Sequence, residues 1–108
     1  MKRFGWVARI KPDRYAEYKR LHAEVRPGVL KMITACNLRN YSIYHKDGCL
    51  FTYVEYTGED FSADMAKMAA DPITQEWWAM VVPMFKDGNV NIPGGNVWAD
   101  MEEIFHLD

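Results

Sequence analysis

Apolar residues fall on alternate positions over residues 3–10, with Phe4, Trp6, Ala8 and Ile10 on one side and Gly5, Val7 and Arg9 on the other. A period of two is that of a strand, so this segment predicts β structure. Pro12 and Asp13 then open a helix, since proline is tolerated in a first turn and an early carboxylate complements the helix dipole. Tyr15, Tyr18, His22 and Val25 recur every three or four residues along it and share one face. Pro27 is expected to kink or interrupt this helix, because it lacks an amide donor and crowds the preceding turn. A second helical segment follows from Val29 to Ala35.

Leu38 to His45 and Cys49 to Tyr56 are rich in β-branched and aromatic residues, and Lys46-Asp47-Gly48 joins them with the Asp-Gly pair of a tight hairpin. Phe61 to Ala70 reads as helix. Asp71-Pro72 ends it and begins another that runs to about Phe85, with Asp71 as the N-cap. Residues 86–96 contain Asp87-Gly88 and Pro93-Gly94-Gly95 and predict a loop long enough to serve a function. Trp98 to Leu107 alternates again as a fourth strand. The resulting order, β-α-β-β-α-β, is that of a ferredoxin-like α+β domain with helices on one face of a four-stranded antiparallel sheet.

With 108 residues, no second core can be built, and a single domain is expected over 1–108. Aromatic residues make up 14% of the chain, more than so small a core absorbs. Trp6, Tyr41, Phe51, Tyr53 and Trp98 cannot all lie under the helices, so the open sheet face is expected to meet a second subunit or fold over a ligand. A homodimer forming an α/β barrel is the expected assembly. Thirteen basic and fifteen acidic residues leave no field that would draw nucleic acid. Arg9 and Lys11 interrupt the apolar run a signal peptide needs, and nothing approaches the ~20 apolar residues of a membrane span. Cys36 and Cys49 are too few for a disulfide framework, which points to a reducing cytoplasm and a buried free thiol at each.

His22, His45 and His106 show no ligand spacing with one another or with the cysteines, so no metal is expected. Gly94-Gly95 lacks the strand and helix that a phosphate-binding loop requires, so nucleotide cofactors are disfavoured. Tyr18 and His22, one turn apart, remain as candidates for acid–base work. Trp77 and Trp78 point about a quarter-turn apart, leaving one of them free to face a ligand, such as the apolar side of a sugar ring. Spacing alone does not decide these points. A Tyr/His pair on an apolar helix face is commonly structural, adjacent indoles are commonly core plus interface, and a strand tyrosine such as Tyr41 is commonly structural too.

Glu17-Tyr18-Lys19-Arg20-Leu21-His22, Pro27, Asn40-Tyr41-Ser42-Ile43-Tyr44, Leu50-Phe51, Trp77-Trp78 and Ile104-Phe105-His106-Leu107 together resemble the L-rhamnose mutarotase family, in register over nearly the whole chain. The resemblance implies a ferredoxin-like dimer without a cofactor, His22 as proton donor, and Tyr18, Tyr41, Trp77 and Trp78 as sugar-binding residues. The implied activity is that of an aldose 1-epimerase interconverting the α and β anomers of L-rhamnose, with L-fucose or another 6-deoxy-L-hexose as the alternative substrate. Arg26-Pro27-Gly28 stands where rhamnose-type members commonly have Trp-Pro-Glu, and the 86–96 loop lacks their Asn-Pro-Asp-Asn-Ser-Pro stretch. Asp60-Phe61-Ser62 and the Trp98 to Leu107 segment look closer to relatives associated with L-fucose. Two rival readings stay open: a cofactor-free or haem-degrading monooxygenase of the same architecture, and a sugar-binding module without catalysis.

Overall fold

A computed structural model describes residues 1–87 and 97–108. At its centre β1 (Lys2–Arg9) pairs antiparallel along its full length with β3 (Cys49–Tyr56), from Lys2 opposite Tyr56 to Arg9 opposite Cys49. β2 (Leu38–Lys46) flanks β3 and β4 (Ala99–Met101) flanks β1, giving the antiparallel order β2-β3-β1-β4. The hairpin closes as the sequence predicts, with positive φ at both Asp47 (50°) and Gly48 (80°), the handedness that matches strand twist.

Two helices follow β1, namely α1 (Tyr15–Ala23) and α2 (Pro27–Ala35); α3 (Phe61–Ala70) and α4 (Pro72–Val81) follow β3. Asp71 caps α4, its carboxylate accepting from the Thr74 amide at 2.9 Å and from the Thr74 hydroxyl at 2.8 Å. Asp60 does the same for α3 through the Ala63 amide, at 3.0 Å. Gly28 lets α2 approach α4, since a Cβ there would lie 2.8 Å from Ile73 Cδ1. The core fills the space between helices and sheet. One cluster gathers Ile10, Tyr18, Val29, Leu50, Trp77 and Phe85, the other Cys36, Leu38, Val54, Tyr56 and Met68.

Several boundaries differ from the sequence expectation. Pro12 lies in a turn before α1, which starts only at Tyr15. Pro27 does not kink a helix; it occupies the first turn of a new one, where its missing amide hydrogen costs nothing, while α1 has already ended at Ala23. α4 ends at Val81 rather than near Phe85, because Pro83 cannot donate to the preceding turn and Val82–Met84 tightens into 3₁₀ helix. The fourth strand is shortest of all, three residues instead of ten. Beyond it Ile104, Phe105 and Leu107 are 78–88% exposed, so their alternation finds no surface to cover among the described residues. Cys36 is buried and free as expected, whereas the free Cys49 is only half-buried. Of the loop expected over 86–96, positions 88–96 lie outside the described residues.

Candidate active site

Between α1, α2, α4 and the sheet lies a cavity with two chambers. The outer one, about 540 Å³, opens past Leu30, Thr34, Arg39 and Asn40; the inner one, about 230 Å³, reaches under the helices to Trp6 and Trp98. His22, Tyr41, Ile43 and Trp77 line both, so the two chambers share these walls.

The α-helical period presents Tyr18 and His22 together from α1. Their rings sit 4.1 Å apart between centroids, and the edge of the His22 ring meets Trp77 at 5.1 Å and 69°. The Tyr18 carbonyl lies 2.7 Å from His22 Nδ1. A carbonyl only accepts, so Nδ1 carries the proton and Nε2 is left with its lone pair in the neutral ring. Burial lowers the His22 pKa from its ordinary 6.5, opposed more weakly by that same hydrogen bond. The imidazole is therefore neutral at pH 7, and Nε2 is a proton acceptor.

Tyr18 is 4% exposed, and burial, with a smaller contribution from nearby Tyr41, raises its pKa well above 10. Tyr41 is pushed up to about 12, also by burial. It keeps 37% of its surface accessible because it lines an open cavity rather than being packed over. Both phenols hold their protons and act as donors. Trp77 is 7% exposed and Trp78 half-buried, and both indoles line the inner chamber.

All five residues singled out in the sequence thus meet at one cavity. Sequence reasoning did not place Trp6 or Trp98 there. For Trp6 a signal existed, because it alternates with the core residues Ala8 and Ile10; for Trp98, which precedes β4 without belonging to it, no periodicity pointed inward. Arg39 at the cavity mouth was also missed. His45 stacks on Tyr15 at 3.7 Å and His106 bonds Asp108 at 2.7 Å, and neither lines these chambers.

A sequence model of the L-rhamnose mutarotase family matches residues 3–107. L-rhamnose mutarotases from Oceanobacillus iheyensis and Listeria monocytogenes are 33% and 35% identical, over 100% and 99% of both chains respectively. The crystal structure of an L-rhamnose mutarotase from Formosa agariphila superposes with a TM-score of 0.80 over 100% of each chain, at 19% identity, and so shares the fold. On residues 3–107, the chain belongs to the L-rhamnose mutarotase family.

Proposed function

We propose that this protein is an aldose 1-epimerase that interconverts the α and β anomers of L-rhamnose by ring opening and closure. The observation that carries this reading is the α1 turn that ties His22 Nδ1 to the Tyr18 carbonyl and leaves Nε2 available at a cavity walled by phenols and indoles. The outer and inner chambers, about 540 and 230 Å³, together offer room for a monosaccharide seated where His22, Tyr41 and Trp77 line both and Tyr18 and Trp78 line the inner one. Indole faces suit the apolar side of a 6-deoxyhexose, and proton-holding phenols suit its oxygens.

Neutral His22 accepts the proton of the anomeric hydroxyl at Nε2. The C1–ring oxygen bond breaks as C1 becomes an aldehyde carbon, and the ring oxygen takes up the proton that the imidazolium now holds. Rotation about C1–C2 and the same steps in reverse close the ring on the other carbonyl face. One side chain thus serves as acceptor and then as proton donor, while Tyr18 donates a hydrogen bond to the oxygen on which negative charge develops, and Tyr41, Trp77 and Trp78 hold the sugar. General acid–base assistance of about 10²–10⁴-fold with orientation is adequate for a reaction that water already supports.

Saturation-transfer NMR tests this across L-rhamnose, L-fucose, D-ribose and D-galactose. Faster anomer exchange for L-rhamnose, reduced to the spontaneous rate in His22→Ala, is expected. Full activity in that variant removes His22 from the mechanism, and faster exchange with L-fucose reassigns the substrate.

The expected homodimer finds support in the open face. Tyr44, Phe51, Tyr53 and Met101 are 37–66% exposed there, beside the tail carrying Ile104, Phe105 and Leu107. A second copy packed sheet to sheet, completing an α/β barrel, covers this apolar surface. Sedimentation equilibrium at twice the chain mass is expected; a monomer at micromolar concentration refutes it. No described helix is long and apolar enough to cross a membrane, and both cysteines are free, which supports the proposed place in the cytoplasm.

A further inference from the structure

Tyr41 reaches the cavity only because β2 is irregular. Leu38 pairs with Tyr56 and Arg39 with Glu55, but the next pair is Ser42 with Tyr53, so Asn40 and Tyr41 together oppose the single residue Val54. In an unbroken ladder Tyr41 would face Tyr53 and point to the open side of the sheet. One inserted residue shifts the phase and turns Tyr41 and Ile43 toward the helices, on the side of fully buried Val54.

The inserted residue is Asn40, at φ 51° in the left-handed region where asparagine is among the tolerated residues. Its side-chain amide donates to Glu55 Oε1 at 2.7 Å, and the Tyr53 hydroxyl donates to Glu55 Oε2 at 2.6 Å. Hydrogen bonds from Tyr53 first and then Asn40 hold the Glu55 carboxyl below its ordinary pKa, so it is ionised at neutral pH. Arg39, the next residue back, donates to the Thr34 and Leu38 carbonyls, both at 2.9 Å, which ties the same stretch to the end of α2. Asn40 borders the outer chamber, but its amide is committed to Glu55, and neither Glu55 nor Tyr53 borders either chamber.

The geometry points to Asn40, Glu55 and Tyr53 as positioning residues that hold, from the opposite face of the sheet, the bulge that turns Tyr41 into the sugar cavity. This rests on the sugar-binding role proposed for Tyr41. The three residues act on substrate binding and not on proton transfer, which belongs to α1. They also stand on the face proposed to meet the second subunit, so the same bonds connect that contact with the cavity wall.

The test is the concentration dependence of L-rhamnose anomer exchange in Glu55→Ala, Glu55→Gln, Asn40→Gly and Tyr41→Phe, with Glu55→Ala also made in the Tyr41→Phe background. Glu55→Ala and Asn40→Gly are expected to raise KM about tenfold, the equivalent of one hydrogen bond to a charged group, with kcat little changed. Gln accepts from Asn40 as Glu does, so Glu55→Gln recovers most of the loss. Asn40→Gly keeps the left-handed backbone and so remains foldable where an alanine would be strained. In the Tyr41→Phe background the effect of Glu55→Ala should shrink, since both changes remove one interaction. An unchanged KM in Glu55→Ala and Asn40→Gly while Tyr41→Phe is impaired overturns the positioning role, and so does a KM effect of equal size with and without the Tyr41 hydroxyl. A wild-type KM in Tyr41→Phe instead removes the sugar-binding role of Tyr41, and the proposal goes with it.

Discussion

Thr52→Val should stabilise this protein. Thr52 sits in the middle of β3, opposite Trp6 on one neighbouring strand and Ile43 on the other, directly beneath the cavity floor those two residues line. It is 2% exposed, and its hydroxyl finds no hydrogen-bond partner among the described residues. A hydroxyl buried without a partner costs roughly 1–3 kcal/mol of lost hydration. Valine keeps the branched shape and the strand propensity and replaces the hydroxyl by a methyl group that gains from burial. A gain of about 1–2 kcal/mol is expected, which for a domain of this size is a rise in Tm of roughly 4–9 °C. Calorimetry and urea unfolding of both forms, at equal protein concentration because the proposed dimer would make Tm depend on it, measure the difference. Since the hydroxyl lies below the cavity surface, KM for the sugar should stay constant. A lower Tm in the valine variant would refute the reasoning, because it would mean the hydroxyl is satisfied in the folded protein.

The pH dependence of exchange should reflect His22. With its folded pKa lowered below 6.5 by burial, the neutral, proton-accepting ring dominates at pH 7, and the rate should hold there and then fall about tenfold per pH unit below the folded pKa. Stability follows the same sign, since below 6.5 the unfolded chain binds the proton more readily; the contribution is complete above 6.5 and is lost as pH falls through the lowered value, and pH-dependent unfolding of His22→Phe should show that part removed. Asp71→Ala deletes the cap on α4 and both bonds to Thr74, and should cost about 1–2 kcal/mol in urea unfolding. Gly28→Ala would ordinarily favour a helix by about 1 kcal/mol, but the new Cβ meets Ile73 at 2.8 and 3.0 Å; a net loss is expected, and it should be largely relieved in the double variant with Ile73→Ala.

Local chemistry explains which parts of this fold were legible from residues alone. Asp47-Gly48 and Asp71-Pro72 act within a few positions of themselves, so the hairpin and the α4 cap appear where the sequence puts them. Pro27 was ambiguous, since one residue type both breaks a helix and begins one, and what decided it was the earlier end of α1 at Ala23. The alternation after Trp98 was real as a pattern but misleading as a strand, because its apolar side chains have no counterpart among the described residues. At the site, the Tyr18–His22 pair could be read from helical spacing. The direction of Tyr41 could not, since counting alternate residues from Leu38 sends it to the wrong face. Only the pairing of two residues against Val54 reverses that count, and such an insertion depends on partners in another strand.

The chain has four tryptophans, and all of them, Trp6, Trp77, Trp78 and Trp98, border the inner chamber. Indole emission from this protein therefore originates at a single place, with no distant indole to add a constant background. Any guest that displaces solvent there alters the surroundings of every indole at once, so the unlabelled polypeptide is its own optical gauge of occupancy.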